Sequence, residues 1–253
     1  MLRLLEALIP SLVLLAAPEP SPTTGGAPGA RPATKPAVTA SAKPAAAPAK
    51  PEAVKGSDAD QLAAKVQSFY EKTQDFSADF VQLYLRVALS KTSESRGTVK
   101  VLKPGMMRWD YLKPEPKHFI ADGKQLFVYD PEDQHVSIDP GFQLSDQGSS
   151  LSFLWGKGKL ADEFTIKLGA AGELAAPAGT EALVLVPKRD ASYKQLVLMV
   201  EPATGKVVES ILFETAGNTN RFRFSNMKTN VGLKAADFQF VPPPGAEVAI
   251  IKR

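Results

Sequence analysis

The stretch PGMMRWDYLKPEPKHFIADGKQLFVYDP, residues 104–131, decides the fold class of this chain. Its first half alternates large apolar residues with charged ones, in the order Met107, Arg108, Trp109, Asp110 and Tyr111. Because successive side chains of a β-strand point to opposite faces, this period of two predicts a strand with one apolar face and one charged face. The apolar face could fill a permanent core or line a pocket for an apolar ligand, and the pattern alone leaves both readings open.

The second half of the stretch predicts a β-hairpin. Two strand-like runs are joined through Asp122-Gly123, a dipeptide that favours the positive φ angles of tight hairpin turns. Similar runs of period two lie on both sides of this hairpin, and they read FSADFVQLYL (76–85), GTVKVLKP (97–104), QHVSID (134–139), FTIKL (164–168), ALVLVPK (182–188), KQLVLMVEPATGKVVESILFET (194–215) and NRFRFSNMKTNV (220–231). With a closing strand in FQFVPPPGAEV, they predict about eleven antiparallel strands in series.

Two segments have helical rather than strand spacing. In residues 57–76, Leu62, Val66, Phe69 and Tyr70 would share one face of an amphipathic helix. A second, short helical segment is predicted between glycines in the long connection before the later strands, and its apolar residues are Leu151, Phe153, Leu154 and Trp155. Large twisted sheets tend to curl. We therefore expect a mainly β fold with some α: a single curled antiparallel sheet, or open half-barrel, with an N-terminal amphipathic helix and a short helical lid.

The composition divides the chain into three parts. Residues 1–17 combine one basic residue with an apolar run and are predicted to be an export signal. Residues 18–56 contain nine prolines among Ala, Thr, Gly and Lys, and they predict a disordered linker. This linker holds five basic and two acidic residues, which accounts for the net charge of +3. The folded domain, residues 57–253, is therefore formally neutral, and nucleic-acid binding is not expected.

The residue inventory favours a binding protein over an enzyme. The chain has no cysteine, which excludes disulfides, thiol catalysis and the lipid-attachment cysteine of a bacterial lipoprotein. Motifs for a nucleophile elbow, a P-loop or a dinucleotide site do not occur. His118 and His135 have no partners at metal-ligand spacing and are expected to be lone, exposed histidines. We expect no catalytic residues, no metal and no cofactor.

Four motifs in order give the chain a family resemblance. They are FSADFVQ (76–82), GTVKVLKP (97–104), RWDYLKP (108–114) and DGKQLFVYDP (122–131), and FQFVPPPG near the end is similar to that family's closing strand. Each motif is weak alone, but together and in this order they resemble the periplasmic outer-membrane lipoprotein carriers of the LolA family. The resemblance covers most of residues 57–245.

The resemblance implies a periplasmic carrier, expected to be a monomer. In that family the half-barrel cavity holds the acyl chains of a lipoprotein, received from an inner-membrane ABC exporter and passed to an outer-membrane acceptor. Strand alternation selects the residues expected to line such a cavity, namely Phe76, Phe80, Met107, Trp109, Tyr111, Phe222 and Phe224. The lid would consist of Val66 and Tyr70 with the apolar residues of 151–155. The family's lid-clasping basic residue, usually Arg, corresponds here to Lys103.

Two other functions remain open from the sequence. A periplasmic regulatory protein that senses lipoproteins or lipids could use the same half-barrel. An esterase or lipase is disfavoured because the sequence lacks a recognisable nucleophile with a base. The residues do not distinguish a carrier from a sensor.

Overall fold

The computed structural model describes residues 58–142, 159–170 and 174–251, and all structural statements below concern these residues. Two α-helices are present, α1 (Asp58–Lys72) and the short α2 (Leu160–Glu163). The strands are β1 (Asp75–Arg86), β2 (Lys91–Leu102), β3 (Met106–Lys113), β4 (Lys117–Asp122), β5 (Leu126–Asp130), β6 (His135–Asp139), β7 (Phe164–Gly169), β8 (Glu181–Pro187), β9 (Tyr193–Val200), β10 (Val207–Glu214), β11 (Thr219–Thr229) and β12 (Glu247–Ile250).

All twelve strands form one open sheet in the order β12-β6-β5-β4-β3-β2-β1-β11-β10-β9-β8-β7. The predicted single antiparallel sheet is confirmed for β1 to β11, and the predicted hairpin at Gly123 is present with a φ of +92°. The central pairing joins β1 to β11, which are far apart in the sequence. These two strands place the first and last antiparallel parts of the chain side by side in the middle of the sheet.

The end of the chain differs from the prediction. The segment FQFVPPPGAEV does not form an antiparallel strand along its length; Ala235–Phe238 form a 3-10 turn, and β12 begins only at Glu247. This last strand pairs in parallel with β6, from Glu247 opposite His135 to Ile250 opposite Ile138. Prolines 242–244 have no backbone N–H to donate, so the chain cannot continue a ladder through them.

The sheet curls around one main core. Leu126 of β5 and Phe164 of β7, which stand near opposite ends of the strand order, are buried in the same apolar cluster as Val66 and Tyr70 of α1. Distant strands can share one core only if the sheet bends around it. Helix α1 therefore lies on the concave face, where it contacts β7, β8 and α2. No helix in the described parts of the chain is long and apolar enough to cross a membrane.

The convex face carries its own covered patches. Val197, Met199 and Ile211 form a small apolar cluster beneath Leu174, and a second cluster on β4 to β6 lies against Phe240. Beside the first cluster, Glu209 is completely buried and pairs with two arginines of β11, Arg221 at 3.2 Å and Arg223 at 2.6 Å. A buried carboxylate is costly unless it is paired, and the two arginines supply that pairing.

The charged side of the opening stretch also lies on the convex face. Arg108 Nε donates to Asp110 Oδ2 at 2.8 Å, and His118 Nδ1 lies 2.6 Å from Asp110 Oδ1. The expectation of lone, exposed histidines was wrong. The β3–β4 register sets His118 opposite Asp110, its ring stacks on Tyr129, and His135 Nε2 lies 3.2 Å from the Ser137 hydroxyl. Both histidines are half-buried.

The charge cluster at Asp110 predicts a pH-dependent contribution to stability. Burial alone would raise the pKa of Asp110, but hydrogen bonds and positive charge from His118 and Arg108 together hold this pKa below its usual 3.8. A group with a lowered folded-state pKa stabilises the protein above its unfolded pKa, and the effect is lost as pH falls through the folded value. Asp110→Asn should therefore cost about 2 kcal/mol at neutral pH. Urea unfolding should show a smaller difference in stability between Asp110→Asn and the wild type at a pH below the usual aspartate pKa than at neutral pH. An equal cost at these two pH values would contradict the electrostatic explanation.

Candidate functional site

Aromatic rings from three strands meet on the concave face. Phe80 of β1 lies with its ring centroid 5.1 Å from Trp109, 4.9 Å from Tyr111 and 5.7 Å from Phe222. The Trp109 ring also lies 5.3 Å from Phe222 and 6.4 Å from Phe224. The rings of Phe222 and Phe224 are stacked on each other. We call these five residues the aromatic cluster. Most of its pairs are tilted or edge-to-face, the geometry that aromatic quadrupoles favour.

A glycine on the intervening strand allows the aromatic cluster to form. Strand β2 lies between β1 and β3, and its Gly97 pairs with Phe80 on one side and Tyr111 on the other. A side chain at this position would collide with its neighbours, because a Cβ built on Gly97 lies 2.1 Å from the carbonyl oxygen of Asp110 and 2.7 Å from Phe80 Cζ. The missing side chain therefore lets the rings of Phe80 and Tyr111 meet across β2.

Burial divides the seven residues predicted to line a cavity into two groups. Four of them are buried in the core, namely Phe76, Phe80, Met107 and Phe222. Trp109, Tyr111 and Phe224 are only partly buried and pack against that core from the concave side. Burial also raises the pKa of the Tyr111 hydroxyl far above its usual value, so this ring stays uncharged. The two groups form an apolar floor with three rings above it that remain partly accessible.

Sequence reasoning missed two members of this surface. Phe119 of β4 is buried 5.8 Å from Tyr111, and the alternation in KHFIADG could have placed it on the same face. Met227 of β11 also packs against the core, although strict alternation from Phe222 and Phe224 points it to the opposite face. The reason is an irregularity in the ladder, where Asn226 has a φ of +52° and the β1–β11 register shifts. Such a bulge reverses the alternation, and the sequence pattern does not show it.

Helix α1 is held at its C-terminal end by side chains that follow strands β2 and β11. Lys103 Nζ donates a hydrogen bond to the carbonyl oxygen of Tyr70, in the last turn of α1. Asn230 accepts the Gln74 N–H at 2.7 Å just beyond the helix. Burial lowers the pKa of Lys103, and the nearby Glu71 carboxylate partly offsets this. The position predicted as the lid clasp thus contacts the end of α1.

The middle of α1 is fixed by the β9–β10 turn. Lys65 Nζ donates to the Pro202 carbonyl oxygen at 2.7 Å, and Gly205 approaches so closely that an added Cβ would lie 2.3 Å from the Lys65 carbonyl oxygen. The predicted lid residues Val66 and Tyr70 are both buried in the core. The other predicted lid residues, Leu151, Phe153, Leu154 and Trp155, lie outside the described residues.

The described side chains offer a large apolar surface and little reactive chemistry. Among residues 58–142, 159–170 and 174–251, no group of three or more His, Asp or Glu residues is placed to hold a metal ion. The aromatic cluster consists of uncharged rings. The ion-paired side chains of β3 and β11, Arg108, Asp110 and Arg221, point to the convex face. This arrangement suits an apolar ligand.

Comparison with known proteins agrees with this geometry. Residues 71–241 match the sequence profile described as outer membrane lipoprotein carrier protein LolA. The outer-membrane lipoprotein carrier protein of Dechloromonas aromatica is 32% identical over 185 residues, which cover 73% of this chain and 85% of that protein. The protein of the same name from Chromobacterium violaceum is 32% identical over 186 residues, with 73% and 85% covered.

Solved structures with a similar fold include a LolA superfamily protein from Nitrosomonas europaea, with 11% identity, a TM-score of 0.39, and coverage of 72% of this chain and 97% of that chain. The assignment rests on the sequence matches, and the family match at residues 71–241 spans all strands from β1 to β11. The chain therefore belongs to the LolA family of outer membrane lipoprotein carrier proteins.

Proposed function

We propose that this protein is a periplasmic carrier that binds the acyl chains of lipoproteins on its concave apolar face and shuttles them from the inner to the outer membrane. The observation that carries this proposal is the partial exposure of Trp109, Tyr111 and Phe224 above a buried apolar floor. Relatives named outer-membrane lipoprotein carrier proteins support the choice of cargo. The function requires binding and release, and no covalent chemistry.

The energetics of an acyl chain set what the carrier must do. Each buried CH₂ group contributes about 0.8 kcal/mol, so a chain of about sixteen carbons costs roughly 12 kcal/mol to leave in water. A carrier must cover much of this surface and still release it. In our proposal α1 and residues 151–155 act as a lid. The lid fills the interior when no cargo is bound and moves aside when cargo enters. Contacts that the lid gives up offset part of the gain, so that affinity stays moderate.

The proposed route begins with export. Residues 1–17 would direct the chain across the inner membrane, and residues 18–56 would serve as a linker. The protein would receive acylated lipoproteins from an inner-membrane ABC exporter and deliver them to an outer-membrane acceptor, with an affinity gradient driving each transfer. Sequencing the N-terminus of the exported protein will show whether residues 1–17 are removed.

The clasp at Lys103 gives this proposal a specific prediction. If its hydrogen bond to the Tyr70 carbonyl stabilises the closed, empty form, Lys103→Met should lower the free energy of unfolding by about 1 kcal/mol. The same change should tighten binding of a fluorescent fatty acid up to about fivefold, because less energy is needed to open the lid. Lys100→Met, in β2 three residues before Lys103, removes only a 4.0 Å contact between Lys100 Nζ and Asp237 Oδ1 and should leave both quantities close to the wild-type values. Weaker acyl binding in Lys103→Met would contradict the clasp.

The decisive experiment is lipid extraction from the exported protein, purified with and without its exporter, followed by mass spectrometry. Intact diacylated lipoprotein that depends on the exporter supports the carrier. Released fatty acid would indicate an esterase instead. Depletion of the protein separates the carrier from a sensor: a carrier's loss leaves lipoproteins in the inner membrane, whereas a sensor's loss leaves their distribution unchanged.

A further inference from the structure

The β1–β2 hairpin extends well beyond the neighbouring strand β3. The β2–β3 pairing ends at Arg96 opposite Lys113, whereas the β1–β2 pairing continues for five more residues to Arg86 opposite Lys91. At about 3.3 Å per residue, the hairpin extends roughly 16 Å past the end of β3 on one side. On its other side, β11 pairs with β1 as far as Leu85 opposite Thr219. We call residues 85–91, LRVALSK, the hairpin tip.

The hairpin tip presents aliphatic side chains to solvent. Leu85, Val87 and Leu89 are 37%, 50% and 63% exposed. Single exposed apolar residues are common on protein surfaces, but three within five residues at one turn form a local apolar surface. The only charged residues of the tip are Arg86 and Lys91, so the tip carries two positive charges and no negative one.

The tip is held in place by polar groups at its base. The Val87 N–H donates to Asn218 Oδ1 at 3.2 Å, and Asn218 Nδ2 donates to Glu214 Oε2 at 2.9 Å and to the Tyr84 hydroxyl at 3.2 Å. The turn itself closes through the Ser90 N–H and the Val87 carbonyl oxygen at 3.0 Å. These contacts fix the backbone, so the exposure of the aliphatic side chains follows from the fold and not from fraying.

Two acidic side chains, Glu94 and Glu214, lie near the tip. Glu214 accepts the hydrogen bond from Asn218, and Glu94 pairs with Arg96 at 2.7 Å. The tip thus combines apolar side chains with two basic residues, Arg86 and Lys91. Segments that lie in the surface of an anionic bilayer have this combination, in which aliphatic groups enter the acyl boundary and basic groups contact lipid phosphates.

We propose that the hairpin tip is a docking element for anionic lipid bilayers and inserts Val87 and Leu89 between lipid headgroups. A bilayer fits better than a protein partner, because the tip lacks the aromatic anchors that dominate protein–protein interfaces. Two aliphatic side chains and two charges give weak, reversible attachment. This inference goes beyond the proposed carrier function, because the tip lies outside the aromatic cluster, and we expect its loss to leave acyl binding unchanged.

A site-specific fluorophore tests the docking directly, since the chain has no cysteine of its own. Leu89→Cys labelled with the dye NBD should show a blue shift and increased emission on mixing with vesicles of phosphatidylcholine containing phosphatidylglycerol. Pure phosphatidylcholine vesicles should give little change, and added salt should reverse the effect. Val241→Cys, at a site 82% exposed in another part of the surface, is the matched control. No response at position 89, or an equal response at both positions, would overturn the proposal.

Substitutions in the unlabelled protein separate the two parts of the interaction. Arg86→Gln and Lys91→Gln should each weaken partitioning into anionic vesicles about fivefold, as expected for one basic residue near such a surface. Val87→Asp combined with Leu89→Asp should abolish vesicle flotation, while affinity for a fluorescent fatty acid stays at the wild-type value. If the double variant floats normally but loses self-association in size-exclusion chromatography, the tip binds a second copy of the chain, and the lipid proposal is wrong.

Discussion

Trp109→Asp should bind a fluorescent fatty acid more than a hundredfold more weakly than the wild-type protein. Trp109 is one of the three partly accessible rings of the aromatic cluster, and its neighbours Phe80 and Phe222 are uncharged. A carboxylate here would need to be desolvated whenever an acyl chain covers it, with no basic partner on the concave face of β3. We expect a cost of at least about 3 kcal/mol, which corresponds to the stated loss of affinity.

A control on the same strand distinguishes lost binding from lost folding. Leu112→Asp introduces the same charge three residues later, at a site that is 55% exposed, and should leave acyl affinity within twofold of the wild type. Circular dichroism and urea unfolding should show that both variants retain the sheet. Wild-type affinity in Trp109→Asp would place the acyl chains elsewhere. A matching loss in Leu112→Asp would show that the effect is not specific to the concave face.

The period of two predicted most of the sheet, because residue alternation is a local property. It placed Trp109, Tyr111 and Phe224 on one face, and the structure brings them together. It could not decide whether such residues fill a core or line a pocket, because that depends on neighbours from distant strands. The structure separates these residues by burial: Phe76 and Met107 are buried, whereas Trp109, Tyr111 and Phe224 are partly accessible.

Features that depend on pairing between strands were not predictable from the pattern. The β1–β11 pairing joins segments more than 130 residues apart, and its bulge near Asn226 turns Met227 toward the core. The parallel strand β12 follows three prolines, and a local reading assigned the strand to the wrong residues. The Asp110–His118 contact likewise exists only because the β3–β4 register places the two residues opposite one another.

Gly97 connects the sequence pattern to the site. It begins the run GTVKVLKP, and the sequence pattern there indicates only that a small residue precedes alternating strand residues. In the fold it lies at a register shift between β2 and β3, against the backbone of Asp110 and below the ring of Phe80. A glycine inside a strand commonly marks a close backbone approach of this kind. The aromatic cluster therefore depends on a residue that contributes no side chain.

Gly97→Ala should lower the free energy of unfolding by at least about 3 kcal/mol, which is large for the addition of one methyl group. The added Cβ would lie 2.1 Å from the Asp110 carbonyl oxygen, so β2 and β3 must move apart. Their separation would also displace Phe80 from Tyr111, and acyl binding should fall together with stability. Urea unfolding and fatty acid titration of the same preparation measure both effects.

A second substitution identifies which contact makes Gly97 necessary. The new methyl group would meet both the Phe80 ring, at 2.7 Å, and the backbone of Asp110. Shortening the ring side chain with Phe80→Leu relieves only the first collision. Because a carbonyl in a strand ladder cannot retreat without breaking its pairing, Gly97→Ala with Phe80→Leu should be no more stable than the sum of the two single changes predicts. Recovery of most of the lost stability in the double variant would show that ring crowding, and not the approach of the two strands, requires glycine at this position.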